Sequence, residues 1–152
     1  MIQIGKAGMD DLETIVEFQI LMAKETEGLA LKKPVVTEGV RKVMNDKSIG
    51  YYYVAKSGHR TVACLLTLFE WSDWRNAQVV WIHSVFVHPE YRSKGIFRSL
   101  YNHVQDEVKG STHLAGLRLY VDKRNKTARE VYLKMGMNSD HYELFEWLKP
   151  KQ

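Results

Sequence analysis

The sequence lacks the features that mark disulfide-bonded, membrane-spanning and secreted proteins. It carries a single cysteine, Cys64, and three prolines among 152 residues, and its apolar stretches are far shorter than the roughly 20 residues of a membrane helix. One cysteine excludes an internal disulfide, which fits a reducing cytoplasm. Residues 1–4 lack the basic and long apolar stretches of a secretory signal. We therefore expect a cytoplasmic protein without a membrane segment.

Charge runs, repeats and metal-ligand spacings are also missing. The net charge is +4, but Lys and Arg are dispersed and no run of five like charges occurs, so a nucleic-acid partner is not expected. Five of the six histidines show no ligand spacing with cysteine or carboxylates, and we expect no metal. Because no repeat or Gly/Ser linker divides the chain, we predict one domain over residues 1–152.

What is present is the pattern of a folded globular protein. Hydrophobic residues make up 45% and charged residues 26% of the chain. We expect Asp10 to cap a first helix ending near Glu27, and Thr37 to cap a second helix. The remaining pattern predicts strands at 1–4, 51–55, 61–69, 79–87, 117–121 and 141–148, and helices at 95–109 and 126–135. This order predicts an α/β fold with a mixed sheet and helices on its faces.

The most informative stretch joins the predicted central strand to the next helix. It reads Val87-His88-Pro89-Glu90-Tyr91-Arg92-Ser93-Lys94-Gly95-Ile96-Phe97. A helix N-terminus exposes unpaired backbone N–H groups and a partial positive charge, so a turn at this place can hold a pyrophosphate. Gly95 allows close approach of a phosphate to the backbone, and Arg92 and Lys94 add cationic donors.

This stretch resembles the cofactor turn of the GNAT superfamily of N-acetyltransferases, which reads Arg/Gln-x-x-Gly-x-Gly/Ala after a strand ending in Val-x-Pro. A second stretch, residues 125–137, is similar to the family's Asn, Ala, Tyr and Gly spacing. The turn departs from the family at Phe97, where Gly or Ala is usual. A bulky ring there narrows the site unless it points toward the core.

The resemblance implies a GNAT-like fold with a mostly antiparallel sheet and about four helices, and acetyl-CoA as the cosubstrate. The pantetheine arm would pair with the backbone of the central strand, and Tyr132 would protonate the departing thiolate. The residues that the resemblance assigns to the cofactor are Val85, Phe86, Val87, Arg92, Ser93, Lys94, Gly95, Ile96, Phe97 and Asn125.

Two side chains are candidates for the general base that deprotonates the acceptor. His83 lies four residues before Val87, so an uninterrupted strand would place both on one face, and some amine-acetylating members of the family carry histidine at this strand position. Glu70, at the end of the preceding strand, is the alternative. Each site residue also has a structural reading: Asn125 as a helix cap, Tyr132 as a core aromatic, and His83 as a buried, hydrogen-bonded histidine.

The function expected from these residues is transfer of an acetyl group from acetyl-CoA to a primary amine of a small molecule. A protein or peptide acceptor, and a non-catalytic acyl-CoA-binding module, are the alternatives. The segment 70–75 is rich in aromatic and acidic groups and can form the wall of a pocket for a cationic amine. Its tryptophans, Trp71 and Trp74, can instead form a homodimer contact.

Overall fold

Strands and helices alternate in the predicted order as far as the last helix. The structure is a computed structural model, and it describes residues 1–150. The elements are β1 (Ile2–Lys6), α1 (Leu12–Glu27), α2 (Lys33–Asn45), β2 (Gly50–Ser57), β3 (Arg60–Ser72), β4 (Ala77–Val87), α3 (Ile96–Lys109), β5 (Leu114–Arg118) and α4 (Lys126–Lys134). Short 3-10 turns, Met9–Asp11 and Pro89–Tyr91, precede α1 and α3.

The five strands form one mixed sheet in the order β1-β2-β3-β4-β5. The first three pairings are antiparallel, whereas β4 and β5 run parallel. The predicted fold class is confirmed, and β4 is an interior strand, as its apolar residues on both faces predict.

Two compact units make up the chain. The first, Met1–Arg118, contains the whole sheet with α1, α2 and α3, and the second begins at Leu119 and contains α4. The prediction of one domain over residues 1–152 stays a prediction.

The sheet of the first unit has a different set of helices on each face. The core cluster on one face is formed by α1, α2 and alternate strand residues, namely Ile15, Val16, Phe18, Val40, Tyr52, Val54, Cys64, Leu66 and Phe86. Residues of the opposite parity, such as Tyr53 and Val80, line a small cavity with Val104 of α3. The α1/α2 face and the α3 face are therefore distinct surfaces of one sheet.

The predicted caps of α1 and α2 are both wrong. Asp10 does not cap α1; a 3-10 turn precedes the helix, and the adjacent Asp11 accepts a hydrogen bond from the Gly8 N–H at 2.9 Å. Helix α2 begins at Lys33 because Pro34 fits the first turn of a helix, where no N–H donor is required. Thr37 therefore lies inside α2, and its hydroxyl donates to the Lys33 carbonyl at 2.8 Å.

Asp11 joins three parts of the first unit. Its side chain is 3% exposed, accepts a hydrogen bond from the Thr61 hydroxyl at 2.6 Å and pairs with Lys56 at 3.1 Å. Burial acts to raise the pKa of the Asp11 carboxyl, but the bonds from Thr61, the Gly8 N–H and Lys56 outweigh it and lower the pKa. The buried carboxylate is thus fully paired and fixes the start of α1 against the β2–β3 hairpin.

Two strand predictions also differ from the structure. Strand β5 starts at Leu114, three residues before the predicted strand, because pairing with β4 begins where the Gln78 N–H donates to the His113 carbonyl at 3.0 Å. The predicted strand over 141–148 is wrong, since this segment has no regular secondary structure. Its aromatic residues suit a strand, but a strand forms only where a neighbour supplies hydrogen bonds. Tyr142 and Trp147 are 77% and 82% exposed.

Candidate functional site

A β-bulge interrupts β4 in its second half. Leu66 of β3 pairs with His83, but Cys64, two residues back, pairs with Phe86, so β4 contains one extra residue. Ser84 takes a positive φ of 49°, which is uncommon for a residue with a side chain. The Ser84 carbonyl lies 3.9 Å from the Cys64 sulfur.

The bulge places His83 and Val87 on opposite faces of the sheet. His83 pairs with Leu66, a member of the α1/α2-face cluster, whereas Val87 pairs with Ala63, whose parity is that of the α3 face. The prediction that the two residues share a face is therefore wrong. It assumed unbroken alternation, and the extra residue reverses the alternation beyond it.

Strand β4 also separates from β5 before it ends. The last pair between them is Trp81 with Arg118, so in the described residues 1–150 no strand pairs with the β5 side of residues 82–87. We call residues 77–81 the closed half of β4 and residues 82–87 the open half. An extended ligand can add like a strand at a sheet edge that no described strand covers.

The turn after β4, residues 92–95, contains two residues with positive φ, as anion-binding nests do, and we call it the nest. Ser93 and Gly95 have φ values of 62° and 76°, and Gly95 is the N-cap of α3. Within residues 1–150, no hydrogen bond of ordinary short geometry joins an acceptor to the N–H groups of Ser93, Lys94 or Gly95. Successive N–H groups in such a turn, at the start of a helix, form a concave site for phosphate.

The two cations of this turn contact protein acceptors. Arg92 donates through Nε to the Val87 carbonyl at 2.8 Å and through Nη2 to Glu25 of α1 at 3.0 Å. Lys94 donates through Nζ to the Glu90 carbonyl at 3.1 Å. A contact of either side chain with a bound phosphate stays a prediction.

Phe97, the departure from the family turn, packs along α3. Its ring is half-buried, and its centroid lies 6.3 Å from that of Tyr101, which is 3% exposed. The ring therefore lies beside a buried residue of the helix.

His83 is a half-buried imidazole on the α1/α2 face. Burial lowers its pKa below the usual 6.5, because the charged form loses hydration. Its ring stacks beside Trp81, with centroids 6.1 Å apart and an interplanar angle of 25°. At neutral pH the neutral imidazole therefore predominates, which is the form that accepts a proton.

Glu70 lies on the same face of the sheet but is remote from His83. It pairs with Val79, four residues before His83, and four residues of a strand span about 13 Å. Arg118 of β5 donates to the Glu70 carboxylate at 2.7 Å. The two predicted bases are thus separate groups, and Glu70 is held in an ion pair.

Asn125 and Tyr132 are described within the second unit. The Asn125 side chain accepts a hydrogen bond from the Ala128 N–H at 3.0 Å, so it caps α4, as its structural reading predicts. Tyr132 lines a small pocket with Leu119, Val121 and Met137. Burial raises the pKa of Tyr132, which keeps the phenol protonated at neutral pH.

Three residues beside the predicted site were not among the predictions. Ser84 forms the bulge, and its sequence context carries no signal for one. Arg118 and Glu25 can be identified only once the fold is known, because their contacts join residues that are 48 and 67 positions apart in the chain.

Residues 1–150 contain no group of three or more His, Cys, Asp or Glu side chains arranged to hold a metal ion. Of the helices described there, none has the length and apolar character needed to cross a membrane.

Comparison with known proteins gives a family match over most of the chain. Residues 19–137 match the model of the Acetyltransferase (GNAT) family. This range includes the open half of β4, the nest and α4. Among curated proteins, none matches the chain.

Solved structures share the fold over nearly the whole length. A possible acetyltransferase from Clostridium difficile 630 is 40% identical, with 99% of each chain covered and a TM-score of 0.93. A predicted acetyltransferase with acetyl-CoA from Clostridium acetobutylicum is 19% identical, with 99% of this chain and 96% of that chain covered and a TM-score of 0.74. An aminoglycoside acetyltransferase from an uncultured soil metagenomic sample, in complex with sisomicin, is 14% identical, with 99% and 97% covered and a TM-score of 0.78.

Proposed function

The chain belongs to the GNAT family of acetyltransferases and is an acetyl-CoA-dependent enzyme, and we propose that its acceptor is the primary amine of a small molecule. The neutral, half-buried His83 at the point where β4 opens carries the catalytic part of the proposal. A neutral imidazole beside a free strand edge provides a base next to a place for the acyl donor.

The backbone of the first unit fits acetyl-CoA. The N–H groups of Ser93, Lys94 and Gly95 suit a pyrophosphate, and the open half of β4 suits the amides of the pantetheine arm. An added Cβ at Gly95 would meet no atom within 4 Å, so no protein atom crowds the Cβ position of this residue. When bound, acetyl-CoA supplies the activated acetyl thioester.

His83 is the proposed general base. An amine attacks a thioester only as the free base, and most alkylamines are protonated at neutral pH. The imidazole, whose pKa is lowered by burial, accepts the proton that the amine must lose. Glu70 is the less suitable base, because Arg118 holds its carboxylate.

Tyr132 is the proposed general acid. Coenzyme A leaves as a thiolate, which needs a proton. Because burial raises the pKa of the Tyr132 phenol, the group carries its proton at the pH at which it is required.

The turn between β3 and β4 supports a cationic acceptor. Trp71, near the end of β3, and Trp74, in the connection, are 61% and 91% exposed, and Asp73 adds negative charge. Aromatic faces beside carboxylates attract ammonium groups. A small polar amine can bind there before it loses its proton.

A coenzyme A release assay tests the proposal. The panel contains acetyl-CoA with polyamines, amino acids, aminoglycosides and simple alkylamines, and matched tertiary amines serve as controls that cannot form a stable amide. We expect turnover with one class of primary amine. Turnover only with peptide N-termini or lysyl peptides would replace the small-molecule acceptor with a protein, and cofactor binding without turnover on the whole panel would refute catalysis.

A further inference from the structure

Arg92 has three attachments that fix its guanidinium within the first unit. One is the Val87 carbonyl at the end of β4, at 2.8 Å, and another is the Glu25 carboxylate of α1, at 3.0 Å. The guanidinium also lies over the Phe86 ring, 5.4 Å from its centroid. Three contacts restrict the orientations that the Arg92 side chain can take.

The Glu25 carboxylate already provides Arg92 with an anionic partner. The two side chains are 44% and 43% exposed, and Glu25 lies two residues before the end of α1. The cationic charge of Arg92 is thus largely compensated. The nest, whose N–H donors belong to the backbone, does not need that charge to hold a pyrophosphate.

We propose that Glu25 is a positioning residue for cofactor binding: through Arg92, it fixes the turn 92–95 in the conformation that directs its N–H groups at the pyrophosphate. The inference rests on the proposed function, in which this turn holds acetyl-CoA. Helix α1 thereby stabilises a turn that lies 67 residues further along the chain.

A competing arrangement predicts the opposite sign. If a pyrophosphate displaced Glu25 from Arg92, the carboxylate would oppose binding, and its removal would strengthen the affinity for coenzyme A. If Glu25 orients the turn, its removal weakens that affinity. The sign of one change in Kd therefore separates the two arrangements.

The experiment measures the Kd of coenzyme A by titration calorimetry for the full chain and for Glu25→Gln. Exposed ion pairs contribute modestly, so we expect binding to weaken roughly threefold to fivefold. Glu27→Gln, the same change on the last residue of α1, is the matched control and should leave the Kd unchanged. In an Arg92→Gln background, which has no guanidinium to hold, Glu25→Gln should have no further effect.

Pantetheine, which lacks the pyrophosphate, provides a second readout. Its affinity should be the same with and without Glu25→Gln, because only the pyrophosphate contacts depend on the turn. Tighter binding of coenzyme A by Glu25→Gln, an unchanged Kd, or an equal loss for pantetheine would each overturn the inference. If the unmodified chain binds no coenzyme A, the proposed cofactor site fails as well.

Discussion

The two halves of β4 belong to one strand but differ in what surrounds them. The closed half, 77–81, is paired with β3 on one side and β5 on the other. The open half, 82–87, keeps β3 but loses β5, and it contains the bulge at Ser84. In the closed half the hydrogen bonds of the backbone are used within the sheet, whereas in the open half one edge is left for a ligand.

This difference separates stability from function along a single strand. Changes in the closed half should act on the free energy of unfolding, while changes in the open half and the turn that follows it should act on binding and turnover. Three substitutions test this division and one tests the proposed acid outside it; the four follow in order of their expected effect on acetyl transfer.

The first substitution, Gly95→Asp, should cause the largest loss. The new carboxylate would lie against the pyrophosphate, so we expect acetyl-CoA affinity to fall by about 100-fold or more. Gly95→Asn is the matched control, because Asn has nearly the same shape and tolerates positive φ but carries no charge. The measurement is the rise in Tm with acetyl-CoA, which should be kept by Asn and lost by Asp. A normal rise with Asp would place the phosphate elsewhere.

The second substitution, Tyr132→Phe, tests a group outside β4. The ring and its packing remain, but the proton for the thiolate is lost, so turnover should fall roughly 100-fold while the Kd of acetyl-CoA hardly changes. Because the proposed bond forms only as the thiolate leaves, kcat and kcat/KM should fall together. Steady-state kinetics and calorimetry on the same samples measure both. Normal turnover would make Tyr132 a packing residue.

The nest could be predicted from the sequence more fully than the strand before it. Gly95 and its place at the start of α3 follow from local rules, since a turn that enters a helix leaves N–H groups unpaired wherever it lies. The face that His83 occupies does not follow from such rules, because one extra residue at Ser84 reverses the alternation. A bulge depends on the partner strand, which local sequence does not report.

Element boundaries show the same limit. Asp11 replaces Asp10 at the start of α1 because Thr61 and Lys56, distant in sequence, select it. The strand predicted at 141–148 has suitable residues but no regular structure. Where neighbours along the chain decide, as at Gly95, the sequence contains the answer, and it also does at Pro34, although the prediction placed the start of α2 at Thr37. Where partners distant in the chain decide the structure, the local sequence does not contain the answer.

The third substitution, His83→Gln, tests the open half itself. If His83 is the base, kcat/KM at pH 7 should fall roughly tenfold to 100-fold, and the loss should shrink at high pH, where the amine is already neutral. In the unmodified enzyme, His83 is neutral and acts as a base only above its lowered pKa. Activity should therefore decline as the pH falls through that pKa, which lies below 6.5. The pH profile of both proteins is the measurement. An equal loss at every pH would indicate a packing role.

The fourth substitution, Val80→Ala, tests the closed half and should have the smallest effect on turnover. Val80 is 3% exposed and lies between Phe69 of β3 and Leu117 of β5, so loss of two methyl groups leaves a cavity that costs about 2 kcal/mol of unfolding free energy. Val85, in the open half, is half-buried, so Val85→Ala removes the same atoms and should cost less. Urea unfolding measures both, and kcat of Val80→Ala at a temperature well below its Tm should equal that of the unmodified enzyme. A fall in kcat without loss of folded protein would show that the closed half also shapes the site, and the division along β4 would then be wrong.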